Sequence, residues 1–190
     1  MYLLLVSTVL NRATATLRPA VRADIPVLKA WDEKPHVRLS DPSEGAQTSG
    51  WNWDAQIEAG WPGVWDFIAE LDGAPIGYVQ VIDPEVEPSQ YWGPTPAGHR
   101  AIDLWIGPPQ FLGQGHGGDM MRQALSFCFE APEVHTVLID PLVSNEDAIR
   151  FYQRLGFQFV ETRTFETDRC AVHHLTRSTY SELYQQGGSL

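Results

Sequence analysis

Apolar positions recur along this chain with two periods, every second residue or every third to fourth, and the switches between them mark its elements. Residues 15–20 read as a first strand ended by Pro19. Residues 23–34 read as a helix, with Asp24 at its start, Pro26 in the first turn, and Ile25, Leu28 and Trp31 on one apolar face. Residues 35–50 are rich in Pro, Ser, Gly and Asp and read as a loop. Residues 51–59 form a short helix before Gly60 and Pro62, in a segment where substrate contacts are expected, Trp51 among them. Val64–Leu71 and residues 76–82 are strand runs joined by Asp72-Gly73-Ala74-Pro75, whose Asp-Gly step signals a hairpin.

The next segment, residues 83–98, places Asp83, Glu85 and Glu87 among prolines, with Tyr91 and Trp92 following. Acids and aromatics together suit a cationic ligand, by charge and by cation–π contact; a solvated acidic loop is the alternative. Residues 100–119, RAIDLWIGPPQFLGQGHGGD, begin as a strand with Ala101, Asp103 and Trp105 on one face and Ile102, Leu104 and Ile106 on the other. Pro108 and Pro109 end its pairing, and Gly113, Gly115, Gly117 and Gly118 then bare the backbone where a helix opens. The first-turn N–H groups of a helix lack internal partners and carry partial positive charge, so this turn reads as a diphosphate cradle.

Met121, Leu125 and Cys128 give residues 117–129 a core-facing helical stripe. Residues 134–139 are a buried strand ended by Asp140-Pro141. Residues 145–155 are a helix with Asn145 as cap and Gly156 at its end, and residues 157–162 and 170–176 are the last strands, before a frayed tail past Tyr184. The expected fold is α/β (α+β) in a single domain over residues 1–190, with its core at about 15–180. It is a central, mostly antiparallel twisted sheet with helices on both faces.

Composition narrows the function. The 190 residues suffice to bury roughly 70% of the unfolded surface. A net charge of −11 argues against nucleic acid as partner and favours a cationic one, or solubility alone. Two cysteines, Cys128 and Cys170, without C-x-x-C spacing, point to a reducing cytoplasm rather than a disulfide or zinc framework. The opening run MYLLLVSTVL is too short to span a bilayer and has no basic flank, so a leading strand or an upstream start is expected rather than a signal peptide, and no membrane association. His173 and His174 point to opposite faces of a strand and make poor joint metal ligands; no metal is expected. The chain has no G-x-S-x-G, H-E-x-x-H or G-x-x-x-x-G-K-[ST] motif.

Two motifs remain, Gln110-x-x-Gly113-x-Gly115 after a strand and, some 30 residues later, SNEDAIRFYQRLGF from Ser144 to Phe157. Together they resemble the GCN5-related N-acetyltransferases (GNAT), most closely the aminoglycoside 6'-N-acetyltransferases and the acyltransferases of siderophore precursors. Ile102-Asp103, Leu112-Gly113-Gln114-Gly115-His116-Gly117 and Asp140-Pro141-Leu142-Val143-Ser144-Asn145 carry that likeness, which is strong over roughly residues 98–160.

The resemblance implies an acetyl-CoA-dependent N-acetyltransferase acting on a primary amine of a small cationic acceptor, as monomer or homodimer, with a sheet splayed at the CoA site. It implies Asp103 as proton acceptor and Tyr152 as proton donor to the departing thiolate. It places the pantetheine arm against Leu104, Trp105 and Ile106 and near Asn145 and Ala148, and the diphosphate on Gln110, Phe111, Leu112, Gly113, Gln114, Gly115, His116, Gly117 and Gly118. Asp83, Glu85, Glu87, Trp92 and Trp51 are the expected acceptor contacts. Alternatives stay open: an Asp103 paired with Arg100, Tyr152 as packing, Asn145 as helix cap only, a siderophore precursor or protein amine as acceptor, and an acyl-CoA-binding sensor without turnover. The loop itself has no Lys or Arg, and Asp119 adds a negative charge to the helix's first turn; Arg122, Arg150 and Arg154 are near in sequence and could supply cations.

Overall fold

The computed structural model describes residues 12–39 and 52–185; the leading apolar run and Trp51 lie outside them. Seven strands form one sheet: β1 Thr16–Pro19, β2 Val64–Leu71, β3 Ala74–Ile82, β4 His99–Ile106, β5 Thr136–Ile139, β6 Gln158–Phe165 and β7 Asp168–Thr176. The spatial order is β1-β2-β3-β4-β5-β7-β6, and every neighbouring pair is antiparallel except β4 and β5. The helices are α1 Ile25–Asp32, α2 Pro35–Arg38, α3 Trp53–Ala59, α4 His116–Glu130, α5 Glu146–Arg154 and α6 Arg177–Tyr180.

Two short helices arise where none was expected. Pro35 opens α2 from within the stretch read as loop: its fixed φ suits a first turn, and its missing N–H costs nothing there. The Thr176 hydroxyl accepts from the Thr179 N–H and caps α6. A π-helical turn, Ser181–Gln185, follows, and Tyr184 donates to the Leu155 carbonyl at 2.8 Å, which ties this end of the chain to α5. Asp72 and Gly73, at φ 51° and 78°, form the expected two-residue turn between β2 and β3.

Period-two alternation sorts the sheet's side chains. Val79, Val81, Ile102 and Ile106 face α4 and join Met120, Met121, Ala124 and Leu125 in the main core. The opposite face carries Ile68 and Tyr78, packed against Ile25, Leu28 and Trp31 of α1 and Trp53 of α3. A third cluster, Trp92, Ala101, Phe165, Cys170 and Val172, is separate from that one. Asp103, two residues beyond Ala101 and two before Trp105, therefore sits between two apolar clusters on the α1/α3 face.

Close backbone approach fixes these layers. A Cβ at Gly77 would lie 2.7 Å from the Trp105 carbonyl oxygen and 2.8 Å from the Met120 methyl, and one at Gly107 would overlap the Trp31 indole. Trp31 is 3% exposed, so the ring has little room to retreat. Gly107→Ala is expected to lower the unfolding free energy by about 1–3 kcal/mol in urea denaturation, the range typical of overpacking. An unchanged midpoint would mean that α1 floats on the sheet.

Candidate active site

The sheet opens where its one parallel pair ends. β4 and β5 align only over His99–Thr136, Arg100–Val137 and Ala101–Leu138. Beyond Ile139 the chain stays with β7 instead. Ala171 donates to the Pro141 carbonyl at 2.8 Å, Val143 donates to the Arg169 carbonyl at 2.9 Å, and Leu142 bridges Cys170. Pro141 has no N–H to offer a ladder, and the Asp-Pro step starts the divergence. Residues 102–106 of β4 thus border a gap rather than a strand on that side, and extended amide groups of a ligand are matched to such an edge.

A cavity of about 660 Å³ fills the gap. Asp103, Trp105 and Gln80 reach it from one face of the sheet; Ile102, Leu104 and Tyr152 reach it from the other. The cavity therefore passes through the sheet. Asn145 and Ala148 border it at the start of α5, where the Asn145 side chain also caps the helix by accepting from the Ala148 N–H at 3.1 Å. The helix-cap reading of Asn145 is thus observed, at a position that also borders the cavity.

Two carboxylates share the space. Asp140, at the end of β5, lines the cavity with Asp103 and accepts from the Tyr91 hydroxyl at 2.7 Å. Burial first, then repulsion from Asp103, pushes the Asp140 carboxyl up to about 8, against the opposing pull of the Tyr91 hydrogen bond and of Arg163. The Tyr152 phenol is raised in turn by burial and by the charges of Asp103 and Asp140, so it stays a neutral donor at pH 7. Tyr91 is held in place by stacking on Phe165 at 4.4 Å, with Trp92 edge-on to both rings. Asp140 did not stand among the expected acceptor contacts, whereas Tyr91 belongs to the acid-aromatic segment read as suited to a cation. The Asp-Pro break at the end of a buried strand was the signal for Asp140, and the acid-aromatic segment was the signal for Tyr91.

Asp66, Gln80 and Asp103 are register partners across β2, β3 and β4, so they form a polar row on one face. Gln80 donates to Asp66 at 3.0 Å and to the Tyr78 hydroxyl at 3.0 Å. A carboxylate only accepts, so the amide nitrogen of Gln80 must face Asp66, which turns its carbonyl the other way.

The expected acceptor contacts divide. Trp92 and Glu87 line the cavity, although Glu87 is spent on its own loop, accepting from the Ser89 and Tyr91 N–H groups at 2.7 and 2.8 Å. Asp83 and Glu85 do not line it. Asp83, just past β3, pairs with Arg100 at 2.8 Å, and Glu85 is exposed. Trp61 reaches the cavity from the turn before β2. Among the described residues no group of three or more His, Cys, Asp or Glu is placed to hold a metal ion, and no helix is long and apolar enough to cross a membrane.

The glycine-rich stretch stands beside the cavity at the start of α4. Pro109–Phe111 form a single 3₁₀ turn, and the Gln114 side chain closes back on the Gln110 carbonyl. Gly113 and Gly115 have φ of 70° and 86°, which side chains resist, and no side chain caps α4. Gly118 donates to the Gly115 carbonyl at 3.1 Å, so of the first-turn N–H groups those of His116 and Gly117 point out of the end of α4. Gly117 abuts Phe151 of α5, 3.4 Å from where a Cβ would stand, so loop and α5 flank one opening. A through-sheet gap edged by β4 beyond the end of its pairing with β5, next to an uncapped glycine turn, fits the arm and diphosphate of an acyl-CoA.

Residues 20–165 match the family described as an acetyltransferase (GNAT) domain. The aminoglycoside N(6')-acetyltransferase type 1 of Klebsiella pneumoniae is 30% identical over 149 residues, covering 76% of this chain and 74% of that protein. The structure of AAC(6')-Ib in complex with ribostamycin and coenzyme A superposes with a TM-score of 0.81 at 27% identity, covering 90% of this chain and 98% of the other. The same enzyme with coenzyme A and kanamycin gives 0.79 at 26% identity, over 90% and 99%.

The raised Asp140 carboxyl has a stability consequence whose sign is fixed. The folded chain holds this proton more tightly than the unfolded one, so stability falls as pH rises from the ordinary carboxylate range through about 8. Asp140→Asn should leave the melting temperature unchanged near pH 4.5 and raise it by about 3 °C or more at pH 9. A gain of the same size at both pH values would show that Asp140 is not a buried acid.

Proposed function

The chain belongs to the GNAT acetyltransferase family, and from that premise we propose that it is an aminoglycoside 6'-N-acetyltransferase, an acetyl-CoA-dependent enzyme acting on a primary amine of a polycationic acceptor. The observation that carries the reading is the acidic cavity through the sheet, with Asp103 and Asp140 on the acceptor side and Tyr152 on the other. Leu104, Trp105 and Ile106 edge the gap for the pantetheine arm, and Asn145 and Ala148 stand across from them. The uncapped turn at Gly113–Gly118 takes the diphosphate, with Gln110, Phe111, Leu112, Gln114, His116 and Gly117 shaping it. The cytoplasm is its place of action, and the two buried free thiols are at home there. It acts as a monomer or homodimer.

Bound acetyl-CoA supplies the thioester carbon that the amine attacks. An amine at pH 7 arrives as an ammonium ion without a lone pair, so the protein must first attract and then deprotonate it. Asp103 and Asp140 supply the attraction, and Trp61, Tyr91, Trp92 and Trp105 offer ring faces to the rest of the cation. Asp103 takes the proton, directly or through water. The Tyr152 hydroxyl donates to the sulfur as the thiolate departs; with its acidity lowered, it acts as a hydrogen-bond donor more readily than as a source of a free proton.

Three measurements test this. Thiol release from acetyl-CoA should be fastest with kanamycin- and ribostamycin-type acceptors in a panel that also holds polyamines, hydroxylamine-bearing lysines and peptides. Release only with another class would overturn the acceptor assignment, and CoA binding without any release would favour a sensor. Asp103→Asn should lower kcat about 100-fold while CoA affinity is kept, as for a general base; unchanged turnover removes Asp103 from the mechanism. A cationic acceptor also stabilises ionised Asp140, so its binding at pH 7 should release protons in calorimetry across buffers of different ionisation enthalpy. Asp140→Asn should shrink that release.

A further inference from the structure

The glycine-rich loop carries no cation of its own, and the fold brings one to it from the far end of the sequence. Arg12, just ahead of β1, lays its guanidinium over the loop's bend, 3.5–3.7 Å from where a Cβ of Gly115 would stand. Its Nη2 pairs with the Asp119 carboxylate at 2.7 Å, and its Nη1 meets His116 Nδ1 at 3.0 Å. Arginine only donates, so His116 Nδ1 is the acceptor there. The Asp119 side chain, 2% exposed, also accepts from Arg122 at 2.5 Å and from the Ala15 N–H at 3.3 Å. Both arginine side chains remain close to half exposed, at 43% and 48%.

Two cations thus surround one buried carboxylate on the first turn of α4, leaving a net single positive charge. Without them Asp119 would set a negative charge against the positive end of the helix, where an anion is to bind. Of the other arginines marked by sequence, Arg150 is spent on Glu146 and Asp147 of its own helix.

We infer that Arg12, Asp119 and Arg122 form a charged cluster that supplies the diphosphate loop with its positive charge, Arg12 acting as a positioning residue held on the loop by Asp119. The inference rests on the acyl-CoA reading above. It gives the segment before β1 a role in donor affinity, and it turns Asp119 from an obstacle to anion binding into the anchor of the cations that offset it.

Direct calorimetric titration of CoA into the free protein tests it, beside the KM for acetyl-pantetheine, which has the thioester arm and no phosphate. Arg12→Gln and Arg122→Gln should each weaken CoA about tenfold, the size of one charge-assisted phosphate contact near a screened surface, with KM for acetyl-pantetheine within about twofold of the parent. Arg122 is a surface side chain, so its variant folds even if Arg12→Gln does not. Arg12→Gln/Asp119→Asn restores the net charge and should bind CoA within about threefold of the parent. CoA affinity unchanged in both single variants, equal losses for CoA and acetyl-pantetheine, or a double variant as weak as Arg12→Gln would each overturn the inference. A parent protein that binds no CoA would overturn the acyl-CoA reading itself.

Discussion

Everything functional in this protein depends on a strand pair that stops early. β4 and β5 run parallel for three residue pairs, and then Pro141 commits the chain to β7. A sheet must satisfy its backbone groups, and an edge left inside the molecule is a demand for a ligand with amides of its own. The gap also sets the order of parts around it: Asp103 and Trp105 on one face, Tyr152 and the start of α5 on the other, and the first turn of α4 beside them. None of these positions would meet if β4 and β5 paired along their full length.

Charge is distributed with the same logic. The cavity gathers carboxylates, Asp103 and Asp140, among aromatic rings, and there burial makes one of the two hold its proton. The start of α4 gathers guanidiniums around Asp119. A cation and a polyphosphate can therefore be bound within one small domain whose net charge is −11, because local fields rather than the total decide.

The sheet was legible in the sequence because alternation is a local property. All seven strands follow from it, and so does the face that Asp103 shares with Ala101 and Trp105. α2 was missed because four helical residues beginning at Pro35 sit in a stretch whose composition reads as loop. α6 was missed because it is a single turn held by Thr176 and by packing of Tyr180 on Phe129. The donor elements were legible as motifs, since the glycine spacing and the Asn145 cap are both written within a few residues. The cavity carboxylates were not all legible. Asp83 stood as a candidate and Asp140 did not, and only the long-range geometry gives Asp83 to Arg100 and Asp140 to the cavity. Arg12 lies 107 residues from Asp119 in sequence, so no spacing rule pairs them.

A passage through the sheet separates the two ligands more thoroughly than a shared surface cleft would. In the proposed reading the donor lies against α4, α5 and the far face of β4, and the acceptor against the turn before β2, the loop holding Glu87 to Trp92, and the turn between β6 and β7. Those acceptor elements are connecting segments, and loops drift faster than the core they join. Mutations that reshape the acceptor pocket leave the donor's layer of main-core packing untouched. Such a scaffold can exchange one amine for another over evolutionary time without passing through variants that have lost their acyl donor.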